Sequence, residues 1–515
     1  MGALQSHLSF LQGEIGLVRP QMLLALFAVG ILLTDFLLEP GQKVFNAVMA
    51  MMGVLFSGYV VWQLHETVAM RGDQMGFPNS ANLPPSLMID NFSIFFCMIF
   101  LVAAALAILL SVKYFNIEHE HHGEYYALIL FATIGMMFMV EGFDLIVQFI
   151  ALETMAISFY ILAGFLRHDR RSNEASLKYL LLGAFSSGIL AYGFSILYGL
   201  TAYGDVPGGS TNLVDIYNTL SNREASDPLV MLALVTVAAG LFFKIAAVPF
   251  HQWAPDVYEG APTPVTAYLS VASSAASFGL FLRLFQTAFW PVRDHWQFLL
   301  GAVAVASMTV GNIAAITQTN VKRMLAYSSI SHAGYILLGL VAAGSGGGNR
   351  TGLQAVAFYL FAYAFMNFGA FAVVIILRRH GLIGDTLDDL NGLITRSPVA
   401  AVLLLIFMLS LAGIPPTVGF VGKYYIFLSL IETHHYYLAL FAALYVVPAL
   451  YYYFRVIVHA WLRDSTDLVH PAVSLGQRVA LSIAGFVVLF AGVYPEPFIR
   501  LASGSLFLPP FFLGH

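Results

Sequence analysis

The sequence predicts an all-α polytopic membrane protein. Of its 515 residues, 59% are hydrophobic and only 10% are charged, whereas soluble domains have about 25% charged residues. The apolar runs are long enough for membrane helices of about 20 residues, and the alternating segments of about ten residues that are typical of membrane β-barrels are absent. At roughly 35 residues for each helix and its connection, the chain holds about 14 spans. A soluble enzyme and a disordered protein are both excluded.

Connections rich in turn-forming residues separate the predicted spans, as at positions 204–209 and 344–348. No connection is long enough for a soluble domain, so the sequence predicts a single transmembrane domain over residues 1–515. Its predicted parts are N-terminal helices 1–3 (1–124), a first repeat (125–290), a second repeat (297–462) and a C-terminal helix 14 (463–515). The predicted spans are 19–38, 44–65, 91–113, 125–141, 144–166, 176–201, 228–252, 262–285, 297–318, 324–344, 352–379, 399–431, 435–462 and 478–502.

The distribution of lysine and arginine over the loops predicts the orientation of the chain. Basic residues are more frequent in one set of alternating loops, which includes Arg167, Arg170, Arg171, Lys322 and Arg323. Loops with this excess normally face the cytoplasm. Both termini are therefore expected on the outer side. The start of the chain has no basic segment and no small-residue cleavage site, so we expect no removable signal peptide.

An internal repeat predicts two related halves. The sequence YILAG at 160–164 matches YILLG at 335–339, and the offset of about 175 also relates the starts of the following helices. Each copy then contains a hydrophobic segment interrupted by proline, at Pro249 in the first half and at Pro415 and Pro416 in the second. Paired interrupted helices are typical of transporters. Because an odd number of spans separates equivalent helices, the two copies should face opposite ways.

Two lysines stand inside apolar helices, next to these interruptions. Lys244 lies in AAGLFFKIAA (238–247) and Lys423 lies in GFVGKYY (419–425). At the membrane centre each would cost roughly 2.5–3.5 kcal/mol. Proline frees backbone carbonyls, which in a membrane must meet water or protein, so each break predicts a hydrated pocket beside a lysine. Such a lysine can gain and lose its charge, as a proton relay requires, whereas an arginine stays charged. The alternative is that both lysines extend to the membrane surface.

Glu153 is interpreted as the one acidic residue deep in the first half, about nine residues inside its span. A buried carboxylate requires a cation, and Lys178 and Lys244 are the available partners. An ion pair that forms and breaks would switch the proton affinity of the lysine. The alternative is a static pair that only orients helices. At the repeat offset, Ser328 and Gln354 stand opposite Glu153 and Lys178, so the second half has lost most of the ionisable set.

Two histidines are further candidates for proton transfer, since imidazole titrates near neutral pH. His251 follows the first break, which favours a functional role. His332 lies in the middle of a span, and its position supports a hydrogen-bonded structural histidine about as well as a relay role.

The sequence does not indicate metal, redox or nucleic-acid chemistry. The tract EHEHH at 118–122 resembles a metal-binding sequence, but its position in a short loop favours a solvated turn, so no metal site is predicted. The single cysteine, Cys97, excludes a cysteine-ligated iron–sulfur cluster within the chain. No glycine-rich nucleotide motif is present. Without a basic domain, nucleic acid is not expected as a partner.

Four sequence runs resemble subunit N of the proton-pumping NADH:quinone oxidoreductase, respiratory complex I. They are PFHQWAPDVYEGAPTP (249–264), QTNVKRMLAYSS (318–329), AFMNFGAF (364–371) and AGIPPTVGFVGK (412–423). The resemblance covers about residues 90–460. It implies about 14 helices in two inverted five-helix repeats, helices 4–8 and 9–13, with helices 7 and 12 broken. It also implies a proton channel coupled to electron transfer in other subunits.

The resemblance also implies roles for individual residues. Glu153 falls on the family's glutamate of helix 5, Lys178 on its lysine of helix 6 and Lys244 on its lysine of helix 7. His251 falls on the histidine that follows that break, and Lys423 on the lysine of helix 12. The implied cofactors are FMN, iron–sulfur clusters and quinone in partner subunits, and none in this chain. The implied partners are neighbouring antiporter-like and small membrane-arm subunits in a bacterial inner membrane.

One position departs from the family pattern. Subunit N usually has a lysine in a run such as SVxxKAA on helix 8, but here the run is SVASSAA (270–276), and Ser274 takes the place of the lysine. A serine cannot carry the proton charge, although it can orient water. Either water and His332 bridge Lys244 to Lys423, or pumping through this chain is weakened. Two other functions stay open, a subunit of an Mrp-type cation/proton antiporter and a structural subunit with a vestigial channel.

Overall fold

The computed structural model describes residues 16–71, 74–77, 85–118, 120, 122–202, 208–345, 351–378, 384–465 and 469–504. These residues form a helical bundle with one two-stranded antiparallel hairpin, in which β1 (Gln74–Phe77) pairs with β2 (Leu87–Asp90). The predicted all-α membrane class is therefore confirmed.

The first half of the chain supplies eleven helices. Three of them are shorter than ten residues and follow or precede loops, while most of the others are long and apolar. In order they are α1 (Arg19–Asp35), α2 (Val44–Arg71), α3 (Asn91–Glu118), α4 (Gly123–Glu141), α5 (Leu145–Ala163), α6 (Arg170–Ala202), α7 (Leu213–Ser221), α8 (Pro228–Lys244), α9 (Trp253–Gly260), α10 (Thr263–Tyr268) and α11 (Ser274–Gln286).

The second half supplies ten helices. Three short 3-10 turns are distributed over the two halves. The second-half helices are α12 (Arg293–Thr317), α13 (Val321–Ala343), α14 (Thr351–Leu377), α15 (Leu393–Arg396), α16 (Pro398–Ala412), α17 (Val418–Glu432), α18 (Tyr436–Leu444), α19 (Val446–Leu462), α20 (Leu475–Val493) and α21 (Glu496–Gly504). The 3-10 turns are Pro40–Gln42, Trp290–Val292 and Asp388–Leu390. A π-helical turn, Leu269–Ser273, joins α10 to α11.

All fourteen predicted spans coincide with helical segments. Within the described residues, 11 helical segments are long and apolar enough to cross a membrane. Three predicted spans contain shorter helices. The helices in 19–38 and 228–252 have 17 residues each, and 399–431 contains two helices of 15 residues. The last two are the spans that the sequence predicts to be interrupted, so their shortness has a direct local cause.

The centre of the bundle lies around α10–α11, α13 and α14. In the most apolar part of α14, 94% of the residues are buried, compared with 28% in the segment Tyr436–Leu462. Small residues let the central helices approach closely. A Cβ atom on Gly311 of α12 would stand 2.7 Å from the backbone nitrogen of Ser331 on α13. The exposed apolar surface of the outer helices is what a lipid or partner environment requires.

The helix breaks are found where the prolines predict them. In the first half, α8 ends at Lys244 and α9 begins at Trp253, with Pro249 between them. In the second half, α16 ends at Ala412 and α17 begins at Val418, with Pro415 and Pro416 between them. Each break contains a residue at positive φ near its start, Ala246 (53°) or Gly413 (87°). The two lysines stand on either side of these turns, one before its break and one after.

Candidate functional site

Lys423 reaches back from α17 to the end of the preceding helix. Its ammonium donates hydrogen bonds to the backbone carbonyls of Leu411 (3.1 Å) and Ala412 (2.9 Å). These carbonyls belong to the last turn of α16. The helix ends there, so it offers no further backbone N–H groups from which they could accept hydrogen bonds. The side chain is only 3% exposed, and its Nζ lies 5.0 Å from the centre of the Tyr335 ring. The carbonyls that the break frees therefore have the lysine itself as their partner.

Lys244 ends α8 at the first break and has fewer polar partners. Its ammonium, also 3% exposed, meets the hydroxyl of Tyr160 at 3.5 Å. The neighbouring carbonyl of Phe243 accepts hydrogen bonds from the indole of Trp253 (2.8 Å) and from the backbone N–H of Ala246 (3.1 Å), which use both of its lone pairs. Both lysines are buried in the interior of the chain, and neither extends to the surface.

A short chain of hydroxyls connects Lys244 with Glu153. The Tyr160 hydroxyl, which Lys244 contacts, also faces Ser187. The Ser187 hydroxyl donates a hydrogen bond to the carboxylate of Glu153. Gly183 makes room for this arrangement, because a Cβ atom there would stand 2.7 Å from Cζ of Tyr160. Among the described residues, Glu153 forms no salt bridge, so hydroxyl groups occupy the place where the sequence predicts a direct ion pair.

Lys178 lies elsewhere, in an ion-pair cluster at the end of the bundle where α6 begins. Its ammonium is 2.8 Å from Glu174 and 2.8 Å from Asp256, and its side chain is 42% exposed. Asp256 also pairs with Arg323 at 2.6 Å, and Arg323 pairs with Glu259 at 3.1 Å. These five residues, with Arg171, line a cleft of about 230 Å³. The structure does not bring Lys178 to Glu153.

The two candidate histidines differ in their surroundings. His332 is 3% exposed, and both of its ring nitrogens have hydroxyl partners. Nδ1 lies 2.6 Å from the Tyr359 hydroxyl, and Nε2 lies 3.0 Å from the Tyr453 hydroxyl. Because one nitrogen of a neutral imidazole donates and the other accepts, His332 joins two hydroxyls into one path. His251 is half-buried in the turn of the first break.

Ser274, which replaces the family's lysine, begins α11 directly after the π-helical turn. The Tyr258 hydroxyl faces both Ser274 and Ser329. The Ser329 hydroxyl lies 2.6 Å from that of Tyr363. A set of hydroxyls on α9, α13 and α14 therefore starts at the position without the lysine and extends towards the second half.

The π-helical turn connects to the same set. Asn367 of α14 donates hydrogen bonds to Ser270 (2.9 Å) and to the Tyr363 hydroxyl (3.0 Å). The rings of Tyr363 and His332 lie with their centres 5.2 Å apart. Neutral hydrogen-bonding groups thus occupy the interval between the two lysines. Single π-helical turns inside α-helices are frequent at functional sites.

Sequence reasoning missed several residues of this interior. Tyr160, Tyr363 and Asn367 were not candidates, because a tyrosine or asparagine in an apolar run gives no indication of what its polar group contacts. The interpretation of Glu153 as the one deeply placed acid of the first half was wrong. Glu153 is half-buried, whereas Glu141 is 4% exposed and Asp90 is 3% exposed. Both lie next to predicted span ends, where the sequence pattern does not indicate whether a side chain is buried.

The described part of the histidine-rich tract makes one ion pair and one histidine–carboxylate contact. Glu118 pairs with Arg378 at 2.6 Å, and Nε2 of His122 lies 3.0 Å from the carboxylate of Glu120. His119 and His121 lie outside the described residues. No group of three or more potential metal ligands occurs within the described ranges.

Comparison with known proteins places this interior in a family. A family model described as NADH:quinone oxidoreductase/Mrp antiporter, TM, matches residues 142–447. NADH-quinone oxidoreductase subunit N 2 of Solibacter usitatus is 52% identical over 493 residues, which cover 95% of this chain and 97% of the relative.

Solved structures share the same fold. One is a chain of respiratory complex I from Thermus thermophilus with bound aureothin. It is 29% identical in sequence, with a TM-score of 0.77, and the match covers 94% of this chain and 100% of that chain. Another is a chain of the Mrp complex from a Dietzia species, with 21% identity, a TM-score of 0.80, and coverage of 95% and 97%. The chain described here is a multi-pass membrane protein that belongs to the NADH:quinone oxidoreductase/Mrp antiporter transmembrane family and, within it, to the subunit N group.

Proposed function

We propose that this chain translocates protons as a membrane-arm subunit of NADH:quinone oxidoreductase, and that the protons pass through a relay of buried lysines, hydroxyls and a histidine. The family membership supports the subunit assignment. The observation that carries the relay is that Lys244 and Lys423 are both 3% exposed and both stand at a helix break. A buried amine beside freed carbonyls can take up and lose a proton without unfolding its helix.

In the first half, Glu153 would act on Lys244 through hydroxyls. The carboxylate accepts from Ser187, and Tyr160 stands between Ser187 and the lysine. A change in the charge of Glu153 would reorient these hydroxyls and alter the stabilisation of the ammonium. Lys178 would contribute from the ion-pair cluster, where it is in contact with the aqueous side of the cleft. His251, at the turn, would exchange protons with the first break.

Between the halves, hydroxyls would replace the lysine that is absent at Ser274. Tyr258, Ser329 and Tyr363 form a polar path that leads to His332. Hydroxyls and imidazole pass protons by exchanging hydrogen bonds, while water fills the gaps that these side chains leave. Lys423 would receive the proton and pass it to the outer side. In this scheme Lys244 takes protons from the inner side, and both termini lie outside.

The electron-transfer chemistry would belong to partner subunits. A subunit of NADH:quinone oxidoreductase works with neighbouring antiporter-like and small membrane-arm subunits in a bacterial inner membrane. FMN, iron–sulfur clusters and quinone would be bound elsewhere in that complex. This chain would perform no redox step and would bind no cofactor. The Mrp-type alternative shares the fold, but the 52% identity to a subunit N over nearly the whole chain favours the oxidoreductase.

Proton pumping by the purified complex in liposomes tests this function. The variants are Lys244→Ala, Lys423→Ala and Lys423→Arg, each compared with Lys43→Ala, which removes a lysine paired with Asp35 at a helix end. We expect each buried-lysine variant to assemble and to lower the number of protons pumped per NADH several-fold. Arginine should fail as alanine does, because it keeps its charge. Normal pumping in both alanine variants would contradict the proposal and favour a structural subunit.

A further inference from the structure

Glu141 is a buried acid that the proposed relay does not use. It is the last residue of α4 and is 4% exposed. Its two carboxyl oxygens lie 2.8 and 2.7 Å from Nε2 of Gln21, which is on α1. The thiol of Cys97 on α3 lies 3.5 Å from one of these oxygens. Within the described part of the chain, Glu141 forms no salt bridge.

The charged groups nearest to Glu141 neutralise each other. Arg283 of α11 is completely buried, and its guanidinium holds both oxygens of Asp90 at 2.6 and 3.0 Å. It also donates to the carbonyl of Val140, at 3.0 and 2.7 Å. The bidentate pair satisfies the charge of Asp90. The hydrogen bonds to Glu141 therefore come from a neutral amide and a neutral thiol, which are weak compensation for a buried negative charge.

The amide of Gln21 suits Glu141 in either protonation state. Gln21 is 2% exposed, and its Oε1 atom is buried with no hydrogen-bond partner among the residues that the structure describes. A carboxylate accepts from the amide nitrogen, as observed. If Glu141 gains a proton, rotation of the amide by half a turn would bring Oε1 to the carboxyl group, where it accepts the new O–H. The same two side chains thus offer complementary hydrogen bonds with and without the proton.

We propose that Glu141 and Gln21 form a proton-binding site, in which the Gln21 amide rotates as Glu141 gains or loses its proton. Only a proton is taken up or released, and no other bond forms or breaks. The site lies where α1 begins and α4 ends, away from both helix breaks. Glu141 and its contacts on α1 and α3 precede residue 142, where the family match begins.

The role of this site in proton release rests on the proposed function. Proton binding at Glu141 itself does not depend on that function. In the proposed orientation, α1 begins and α4 ends at the outer side. A proton-conducting chain would use an acid there as a group that holds a proton before release. The opposite end carries the ion-pair cluster of Glu174, Lys178, Asp256, Glu259 and Arg323, so the two ends would handle protons with different chemistry.

Infrared difference spectroscopy of the assembled complex at a series of pH values tests the site. We expect a C=O stretching band of a protonated carboxyl that disappears as the pH rises and is missing in Glu141→Gln. The matched control is Glu124→Gln, which removes an exposed acid from the first turn of the same helix. Gln21→Leu should move the band to higher frequency, because the carboxyl loses its hydrogen bond. Identical pH difference spectra for the wild type and Glu141→Gln would overturn the proposal, as would a band that Gln21→Leu leaves in place.

The thiol of Cys97 gives a second readout that does not depend on how well Glu141→Gln assembles. The S–H stretch of Cys97 is isolated by subtracting the spectrum of Cys97→Ala. We expect it to shift over the same pH range as the carboxyl band, because the thiol donates to Glu141. An S–H band that is constant over this range would overturn the proposal.

Pumping measurements separate this site from the relay. If Lys244→Ala and Lys423→Ala both pump normally while the Glu141 band is present, the proposed function fails and proton binding at Glu141 stands. If Lys423→Ala stops pumping while the band is absent from the wild type, the proton-binding site fails and the relay stands.

Discussion

A Cβ atom on Gly413 would stand 2.8 Å from Cδ of Lys423 and 3.2 Å from its Nζ. Gly413 also has a φ of 87°, in the left-handed region that favours glycine. The glycine lets α16 end in a tight turn and leaves the space through which the lysine reaches the carbonyls of Leu411 and Ala412. The helix break and the position of the lysine therefore depend on the same residue.

Gly413→Ala is expected to displace the ammonium of Lys423 and to reduce proton pumping several-fold. The left-handed conformation alone should cost about 1–2 kcal/mol with alanine. Proton pumping per NADH and the thermal stability of the purified complex measure the two effects. Gly208→Ala is the matched control, because Gly208 has a φ of 88° but no atom of a described residue within 4 Å of its Cβ position. Equal pumping by both variants would contradict the role of the space beside Lys423.

Tyr160→Phe is expected to lower pumping without preventing assembly. The change removes the hydroxyl between Lys244 and Ser187 and leaves the aromatic packing against Tyr179 in place. Proton uptake by liposomes that contain the complex is the measurement. Tyr126→Phe is the control, since the Tyr126 hydroxyl is buried without a partner among the described residues. If Tyr160→Phe pumps as Tyr126→Phe does, Glu153 does not act through this hydroxyl.

Tyr363→Phe is expected to interrupt the path that replaces the missing lysine. Its hydroxyl is the common partner of Ser329 and Asn367. We expect pumping to fall several-fold, and we expect Ser274→Lys to restore part of it in the double variant, because a lysine at position 274 would supply a protonatable group. Proton-to-NADH ratios of the single and double variants measure this. A normal ratio in Tyr363→Phe would show that the proton passes elsewhere.

Asp256→Asn is expected to destabilise the ion-pair cluster by the same amount at every pH in the physiological range. Partial burial acts to raise the pKa of Asp256, but hydrogen bonds from Lys178 and Arg323 outweigh it and hold the pKa below its usual value. The stabilisation is therefore complete above about pH 4, the usual aspartate pKa, and is lost as the pH falls through the lowered one. Because these side chains are partly exposed, the loss should be roughly 1 kcal/mol.

Unfolding temperatures of the complex between pH 5.5 and 8 measure this effect. Glu496→Gln is the control, because its pair with Arg500 is exposed and should contribute nothing measurable. A difference between Asp256→Asn and the wild type that shrinks across this pH range would contradict the assignment.

The sequence determined the features that depend on composition and on proline. Hydrophobicity placed fourteen helical segments, and proline located both breaks, since its ring and missing N–H interrupt a helix wherever the chain folds. The positions of Lys244 and Lys423 within those apolar segments predicted a buried amine beside each break, and the 3% exposure of each lysine confirms this prediction over the alternative of extension to the surface. The relay roles of Glu153, Lys178, Lys244, His251, His332 and Lys423 stay predictions.

Only the tertiary structure decided which polar groups meet. A helix presents each side chain to neighbours that are distant in sequence, so the sequence could not show that Glu153 faces Ser187, or that Lys178 pairs with Asp256. It also could not show Glu141 at the end of α4 buried against α1, because a residue at the end of a span is exposed or covered according to the packing of other helices. Periodicity and proline act locally along one segment, whereas the partner of a buried charge is set by the packing of several.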